Sequence, residues 1–200
     1  MALTKGQKNI LWTFLVAVFA FTATFIAQKN YEFIGYVVVV ILILWVVMAS
    51  TRHVHYPDYV LWGLLVWAVL HMLGGVVMPN GNVIYTLMIY PIISEPYSVL
   101  KYDQLIHAYG FFTATLVMYY VLKKYLVRPF GWTAIGIVLA MAGLGLGALN
   151  EIVEFTMTVL LPNTNVGGYE NTAIDLISNF IGALLAVYFI KWKEKREQVM

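Results

Sequence analysis

The chain has 200 residues, of which 62% are hydrophobic and 11% are charged, and its formal net charge is +2. A soluble domain of this size carries about twice that charged fraction, so the composition excludes an ordinary water-soluble domain. The absence of cysteine excludes disulfides and thiolate-bound metals, and the small net charge gives no reason to expect a nucleic-acid partner.

Six apolar runs predict an all-α, polytopic membrane protein with six transmembrane helices. Each run is about twenty residues long, the length that a helix needs to cross a bilayer. Transmembrane β-strands are shorter and alternate in polarity, which these runs do not. No linker divides the chain, so we expect a single membrane domain over residues 1–200. In chain order the predicted spans are 9–27, 33–50, 59–78, 103–122, 132–158 and 172–190.

The distribution of Lys and Arg predicts the orientation of these helices. With the amino terminus placed in the cytoplasm, the outer loops contain only Lys29 and Lys101. All other basic residues then lie in inner segments, and such an excess marks the cytoplasmic side of a cell-membrane protein. Both termini are therefore predicted to be cytoplasmic. The inner basic residues are Lys5, Lys8, Arg52, Lys123, Lys124, Arg128, Lys191, Lys193, Lys195 and Arg196.

Six ionisable side chains fall near the outer ends of four predicted spans. Two pairs among them are spaced three or four residues apart, which places both members of a pair on one helix face. With a helix rise of about 1.5 Å per residue, all six reach the outer third of the membrane. They are His71, two turns before the outer end of the third span, Asp103 and His107 at the start of the fourth, Glu151 and Glu154 on the fifth, and Asp175 at the start of the sixth.

The four carboxylates in this set present an electrostatic problem, because unpaired charges are costly to desolvate. The nearest fixed cation in sequence, Lys101, lies in a loop. Imidazole with carboxylate is a common ligand set for Zn, Mn or Fe. We therefore expect a divalent metal cation bound by His71, Asp103, His107, Glu151, Glu154 and Asp175. The neighbouring polar side chains expected to support this site are Tyr102, Asn150, Asn171 and Asn179.

Two other interpretations of the same residues remain open. In the first, the side chains are hydrated near the membrane surface and cap helices, since Asp103 and Asp175 stand where N-terminal caps are expected. In the second, protonated acids form part of a proton pathway. Metal coordination is the interpretation that the combination of two histidines with four carboxylates favours.

Three further patterns concern packing and loops. Gly143 and Gly147 form a GxxxG face, which allows helices to approach closely. Residues 79–102 form a long outer loop whose apolar stretch is too short to cross the bilayer, so an interfacial or re-entrant segment is expected. The segments DQLIHAYG (103–110) and DLISNFIG (175–182) share D-x-x-x-(H/N)-x-x-G, which suggests two related helical hairpins.

Four segments of the chain carry a resemblance: HMLGG (71–75), YDQLIHAYGFF (102–112), NEIVEF (150–155) and YENTAIDLISNFIGA (169–183). In this order they resemble the motifs of the YjdF-like bacterial inner-membrane proteins and, more distantly, of the VanZ-like family. The first two spans match only in hydropathy. The resemblance implies a six-helix inner-membrane protein, with motif positions here at His71, Asp103, His107, Glu151, Glu154, Asp175 and Asn179. An arginine that the VanZ-like group carries before its last motif Asp has no counterpart in NVGGYENT.

These features support three classes of function. The first is a metal-dependent hydrolase or group transferase that acts on a membrane lipid or a lipid-linked envelope substrate at the outer leaflet. In it, Glu151 or Glu154 is a ligand or the general base, and residues 83–93 form a lid. The second is a proton- or cation-coupled transporter, although the cytoplasmic halves of the spans contain almost no polar side chain. The third is a non-catalytic sensor or immunity protein that binds a cation or a lipid.

Overall fold

The computed structural model describes residues 4–127 and 130–197. Within these ranges the chain forms six α-helices, one short 3-10 turn and one two-stranded hairpin, so the predicted all-α membrane architecture is confirmed. Arg128, one of the inner basic residues, lies outside the described residues. The helices are α1 (Lys5–Gln28), α2 (Tyr31–Ser50), α3 (Asp58–Gly74), α4 (Tyr102–Lys123), α5 (Trp132–Leu160) and α6 (Tyr169–Glu197).

The third helix is shorter than the sequence predicts. The other five are long and apolar enough to cross a membrane, whereas α3 has 17 residues and ends at Gly74, four residues before the predicted end of its span. The helix ends at two closely packed glycines: a Cβ on Gly74 would overlap the Tyr85 ring, and one on Gly75 would overlap the Phe33 ring. His71 consequently lies in the last turn of α3 and not two turns from its end.

Polar side chains join the carboxyl ends of α1 and α3 to the amino end of α2. Between α1 and α2 the chain turns within two residues, with Lys29 in the left-handed region at φ 54°. Asn30 caps α2 by accepting from the Phe33 amide at 3.2 Å, and its Nδ2 donates to the Gly75 carbonyl at 2.9 Å. Gln28 exchanges two hydrogen bonds with the backbone of Val77. These bonds fix the α1–α2 hairpin against the end of α3.

Helix α4 packs against α3, α5 and α6, and glycines allow the closest approaches in this part of the bundle. A Cβ on Gly143 of α5 would overlap the Thr115 hydroxyl of α4, and one on Gly147 would lie 2.6 Å from Asn179 Nδ2 of α6. A Cβ on Gly182 of α6 would overlap the Ala108 carbonyl oxygen of α4. The predicted role of Gly143 and Gly147 in close helix packing is confirmed.

The long loop between α3 and α4 forms a β-hairpin and not a re-entrant segment. After a 3-10 turn at Ile84–Thr86, strand β1 (Met88–Ile93) pairs antiparallel with β2 (Val99–Lys101), and β2 leads directly into α4. Six residues rich in isoleucine and containing a proline suit a short edge strand better than a helix. The apolar side chains of β1 are largely exposed, which agrees with the interfacial alternative.

Candidate functional site

Five of the six predicted ligand residues meet between α4, α5 and α6, around the imidazole of His107. Its Nε2 lies 3.3 Å from Asp103 Oδ1 and 3.6 Å from Glu154 Oε1. On the other side of the ring, Nδ1 lies 3.6 Å from Glu151 Oε1. We call this group, completed by Asp175, the carboxylate cluster. The His/carboxylate group that the sequence predicts is therefore present in the fold.

The ligand atoms of the carboxylate cluster are close enough to share a cation. Two sets have their atoms within 4.8 Å of one another: Asp103, His107 and Asp175, and His107, Glu151 and Glu154. Two ligands about 2.1 Å from a tetrahedral ion lie about 3.4 Å apart, whereas charge-assisted hydrogen bonds are about 2.7–2.9 Å long. The contacts of 3.3 and 3.6 Å around His107 match the first spacing better than the second.

Asn179 orients the central imidazole. His107 Nδ1 lies 3.0 Å from Asn179 Oδ1, and the asparagine is fully buried beside Gly147. When Nδ1–H donates to this oxygen, the Nε2 lone pair is directed to the side where Asp103 and Glu154 lie. Metal-binding histidines are commonly held in this way, with the second ring nitrogen donating to a carbonyl or carboxylate oxygen.

Several carboxylate oxygens of the cluster are buried without a hydrogen-bond partner. Within the described ranges, neither oxygen of Glu151 has a partner, and the same is true of Asp175 Oδ1. Asp175 is 0% exposed and Glu151 is 8% exposed, so bulk water does not compensate for the missing bonds. Buried polar atoms in folded proteins almost always have a partner. These three oxygens therefore require a proton, an ordered water or a cation.

Three of the four predicted supporting residues contact the cluster. Asn150 Nδ2 donates to Glu154 Oε1 at 2.7 Å, and Asn171 Nδ2 donates to Asp175 Oδ2 and lies 3.4 Å from Asp103 Oδ2. Asn179 is the third. The fourth, Tyr102, donates its hydroxyl to the Leu70 carbonyl at 2.9 Å and so joins α4 to the end of α3.

His71 lies at the edge of the site, apart from both sets of ligand atoms. Its Nδ1 lies 2.5 Å from the Tyr85 hydroxyl, and its ring stacks on Trp67 with centroids 5.4 Å apart. Burial, together with the charge of Asp103, raises the pKa of Tyr85 well above its ordinary value, so the phenol keeps its proton. When the phenol donates this proton to Nδ1, Nε2–H of His71 is left as a donor.

A small cavity of about 30 Å³ lies between His71 and the cluster, and its wall includes a residue that the sequence analysis missed. The missed residue is Glu32 in the first turn of α2, which lines the cavity with Asp103 and Glu154. Its Oε2 accepts from the Asn165 amide at 2.8 Å and from Asn165 Nδ2 at 2.9 Å. A cavity of this size admits a water molecule or an ion. Glu32 was overlooked because the predicted second span began at residue 33.

Neither predicted capping aspartate is an N-cap. Lys101 occupies that position for α4, and Asp103 lies inside its first turn, where the helix dipole still favours a negative charge. Helix α6 begins at Tyr169, so Asp175 lies well inside the helix and does not open it. The capping position expected for Asp175 was therefore wrong, because polar residues 169–171 extend the helix beyond the start of the apolar run.

An apolar recess of about 280 Å³ adjoins the cluster on its inward side. Phe111 lies one turn from His107 along α4, with ring centroids 6.2 Å apart, and Asn150 is bonded to Glu154. The recess therefore begins where the polar site ends. Helices α2 to α5 all contribute to its wall, which is formed by Val39, Ile43, Leu64, Trp67, Gly110, Phe111, Ala114, Leu146, Leu149, Asn150 and Val153.

Comparison with known proteins assigns the chain to a family of membrane proteins. A family model described as "Predicted membrane protein (DUF2238)" matches residues 9–196. The chain belongs to this family. A Thermotoga maritima protein named "Uncharacterized protein" is 36% identical over 88 residues, which are 42% of this chain and 44% of that relative. The match thus spans less than half of the relative's length. No solved structure matches the chain.

In this DUF2238 chain, a second polar group is buried at the end of the bundle opposite the cluster. Glu194 Oε1 accepts from the Tyr119 hydroxyl at 2.5 Å and from Lys123 Nζ at 2.6 Å. Lys123 and Glu194 lie beyond the ends of the predicted spans, because α4 continues to Lys123 and α6 to Glu197. Between His107 and Tyr119, about 18 Å along the helix, Thr115 lies on the same face and donates to its own helix at Phe111.

Proposed function

We propose that this protein is a metal-dependent hydrolase or group transferase that acts on a lipid or lipid-linked envelope substrate. The observation that carries the proposal is the carboxylate cluster, in which three buried carboxylate oxygens have no partner in the described parts of the chain. Among the described residues, no Lys or Arg lines the cavity beside it. A divalent cation, Zn, Mn or Fe, would neutralise several of these charges at once.

The spacing of the side chains suggests a role for each residue. His107 Nε2, Asp103 and Asp175 are proposed as the metal ligands, because Nε2 faces Asp103 and these three residues form one ligand set. Glu151, whose Oε1 lies on the Nδ1 side of the ring and whose oxygens lack other partners in the described chain, is proposed as a further ligand or as the general base. Glu154 lines the cavity and is proposed as a ligand or as the general base. A bound divalent ion supplies Lewis acidity toward a carbonyl or phosphoryl oxygen.

His71 takes a different role in this proposal from the metal ligand that the sequence predicted. With Nδ1 bonded to Tyr85, the ring offers Nε2–H at the wall of the cavity. Such a donor suits an oxygen that gains negative charge during acyl or phosphoryl transfer. We therefore assign His71 to hydrogen bonding with the substrate.

The lipid character of the substrate is supported by the apolar recess. A hydrocarbon chain in the recess would place the attached polar group beside Glu154 and Asn150, at the border of the cluster. The excess of basic residues at the opposite ends of the helices supports an outer-leaflet site, an inner-membrane location and cytoplasmic termini.

Metal analysis of the purified protein tests the proposal. We expect stoichiometric divalent metal in the wild type and in Glu170→Gln, an exposed acid of α6, and a loss of metal in His107→Ala and Glu154→Gln. Equal and negligible metal in all four proteins would refute coordination. Stoichiometric metal without turnover of any lipid would favour the sensor or immunity alternative.

The transporter alternative requires a polar path through the protein, which the hydrolase does not. It needs a polar path from the cluster to the Tyr119–Lys123–Glu194 group, yet the Thr115 hydroxyl between them is bonded to its own helix. Uptake of protons or metal into vesicles that contain the protein, abolished by Glu154→Gln, would support transport in place of catalysis.

A further inference from the structure

A second recess lies at the end of the bundle opposite the carboxylate cluster, and its wall is basic. It has a volume of about 450 Å³ and lies between the loop that joins α2 to α3 and the last turn of α4. No acidic residue in the described parts of the chain lines it. We call it the basic recess; its polar wall consists of Thr51, Arg52, His53, His55, Lys123 and Lys124.

The loop wall of the basic recess is held in place by buried side chains. Val54 and Tyr56 are buried in the bundle, and the Tyr56 hydroxyl lies 2.8 Å from Ser50 Oγ at the end of α2. Because these two residues alternate with His53 and His55, the imidazoles are left on the outer side of the loop, where both line the recess. The loop thus has a fixed conformation that presents its basic side chains together.

The two lysines of the helix wall differ, because among the described residues Lys123 is paired with a carboxylate and Lys124 is not. Lys123 Nζ is 2.6 Å from Glu194 Oε1, so its charge is compensated within the bundle. In the described parts of the chain, Arg52 and Lys124 form no ion pair with any carboxylate. Lys124 Nζ lies over the Tyr125 ring at 4.7 Å, which leaves its donors available to a ligand. The recess therefore carries a net positive charge.

We propose that the basic recess binds the phosphate group of an anionic membrane lipid. The recess lies where α2 and α4 end, at Ser50 and Lys123, which is the level at which lipid headgroups meet a bundle of membrane helices. Arginine offers paired donors that match phosphate oxygens, and basic pockets between helix ends recognise such headgroups. Free inorganic phosphate offers the same oxygens as a lipid headgroup, and the experiment below distinguishes these two ligands. The proposal does not depend on the function proposed for the carboxylate cluster.

Lipid binding by matched variants tests this assignment. Delipidated full-length protein in phosphatidylcholine nanodiscs is titrated with phosphatidylglycerol, and bound lipid is counted by native mass spectrometry. In Arg52→Gln/Lys124→Gln we expect the apparent Kd to rise about 30-fold, because each lost cation at a headgroup weakens binding about fivefold. Lys5→Gln/Lys8→Gln removes the same charge outside the recess and should leave the Kd of this discrete site near the wild-type value.

Two further measurements keep the test decisive. Arg52→Lys keeps the charge but loses the paired donors, so an intermediate affinity is expected, and its retained fold separates a binding defect from a folding defect. Equal weakening in the double variant and in Lys5→Gln/Lys8→Gln would overturn the proposal, because surface charge alone would then explain binding. Saturable binding of inorganic phosphate that phosphatidylglycerol does not displace would overturn the lipid assignment.

Discussion

His107 makes more contacts within the carboxylate cluster than any single carboxylate described there. Both ring nitrogens face carboxylates, at 3.3 to 3.6 Å, and Nδ1 also meets the Asn179 oxygen. An imidazole can serve as a ligand through one nitrogen only if the other nitrogen is satisfied by a suitable acceptor. The asparagine is therefore as important to the geometry of the cluster as the acids themselves.

Replacing Asn179 tests this dependence. In Asn179→Ala the imidazole loses its acceptor, and we expect metal affinity to fall about 10- to 100-fold, the usual effect of removing such a partner. The change is measured by competition with a chelating dye on the purified protein. The matched control is Asn165→Ala, which removes an amide from the loop above the site and leaves the imidazole acceptor in place. Unchanged affinity in Asn179→Ala would show that the asparagine does not hold the ring.

The candidate site was predictable from sequence where helical spacing decides which side chains share a face. The i, i+4 pair Asp103 and His107 is in contact as expected. Glu32 was not predictable in the same way, because its role depends on Asn165, which is 133 positions away in the chain. The sequence signal available for Glu32 was its position as a carboxylate next to the second apolar run. Its meaning comes only from the tertiary fold.

At the scale of helices, the position of the cluster depends on how closely α4, α5 and α6 approach. A Cβ on Gly182 would overlap the Ala108 carbonyl, whereas a Cβ on Gly145 meets no described atom within 4 Å. The two glycines therefore differ in what the fold requires of them. Gly182 is needed for contact between backbones, and Gly145 is an ordinary helix-interior glycine.

Two alanine substitutions separate these roles. Gly182→Ala should lower the free energy of unfolding by roughly 2 kcal/mol, because α6 must shift away from α4 to accommodate the methyl group. Gly145→Ala should raise it by up to about 1 kcal/mol, because alanine favours the helix more than glycine does. Reversible unfolding in mixed detergent micelles provides the measurement. Equal effects of the two changes would contradict the close packing of α4 with α6.

The boundaries of the helices were predicted less well than their existence. Hydropathy located all six, but α3 ends four residues early and α6 begins three residues early. Gly74 and Gly75, at the first of these ends, pack against the rings of Tyr85 and Phe33, and the polar residues Tyr169, Glu170 and Asn171 form the additional turn of the second. Hydropathy predicts neither boundary, because the first involves tertiary contacts and the second lies outside the apolar run. The hairpin at Met88–Ile93 was missed because a short apolar stretch does not specify its strand partner, Val99–Lys101.

For the whole molecule, the two recesses and the carboxylate cluster divide the bundle into three levels. The cluster lies near one end, the apolar recess lies inward of it, and the basic recess lies at the other end. This order matches the polarity of a bilayer, in which a charged surface covers an apolar interior on both sides. A lipid bound at the cluster would thus have its chain in a suitable environment.

Filling the apolar recess tests this arrangement. In Ala114→Phe we expect a several-fold lower yield of cross-linking from a phosphatidylglycerol whose acyl chain carries a diazirine, because the new ring occupies the recess. Metal content should stay unchanged, since Ala114 does not belong to either ligand set. Ile137→Phe, on an exposed face of α5, is the control for general lipid contact. Equal cross-linking yields at the recess residues in the wild type, Ala114→Phe and Ile137→Phe would contradict the binding of an acyl chain in the recess.

The short third helix affects the surrounding membrane. A helix of 17 residues spans about 25 Å, whereas the hydrocarbon layer is about 30 Å thick. Such hydrophobic mismatch is relieved by thinning of the adjacent bilayer, at a modest cost per ångström. Because His71 lies in the last turn of this helix, thinning of the bilayer at that end would bring the water boundary closer to the contact between His71 and Tyr85. A polar headgroup can then approach the histidine without leaving its hydration layer.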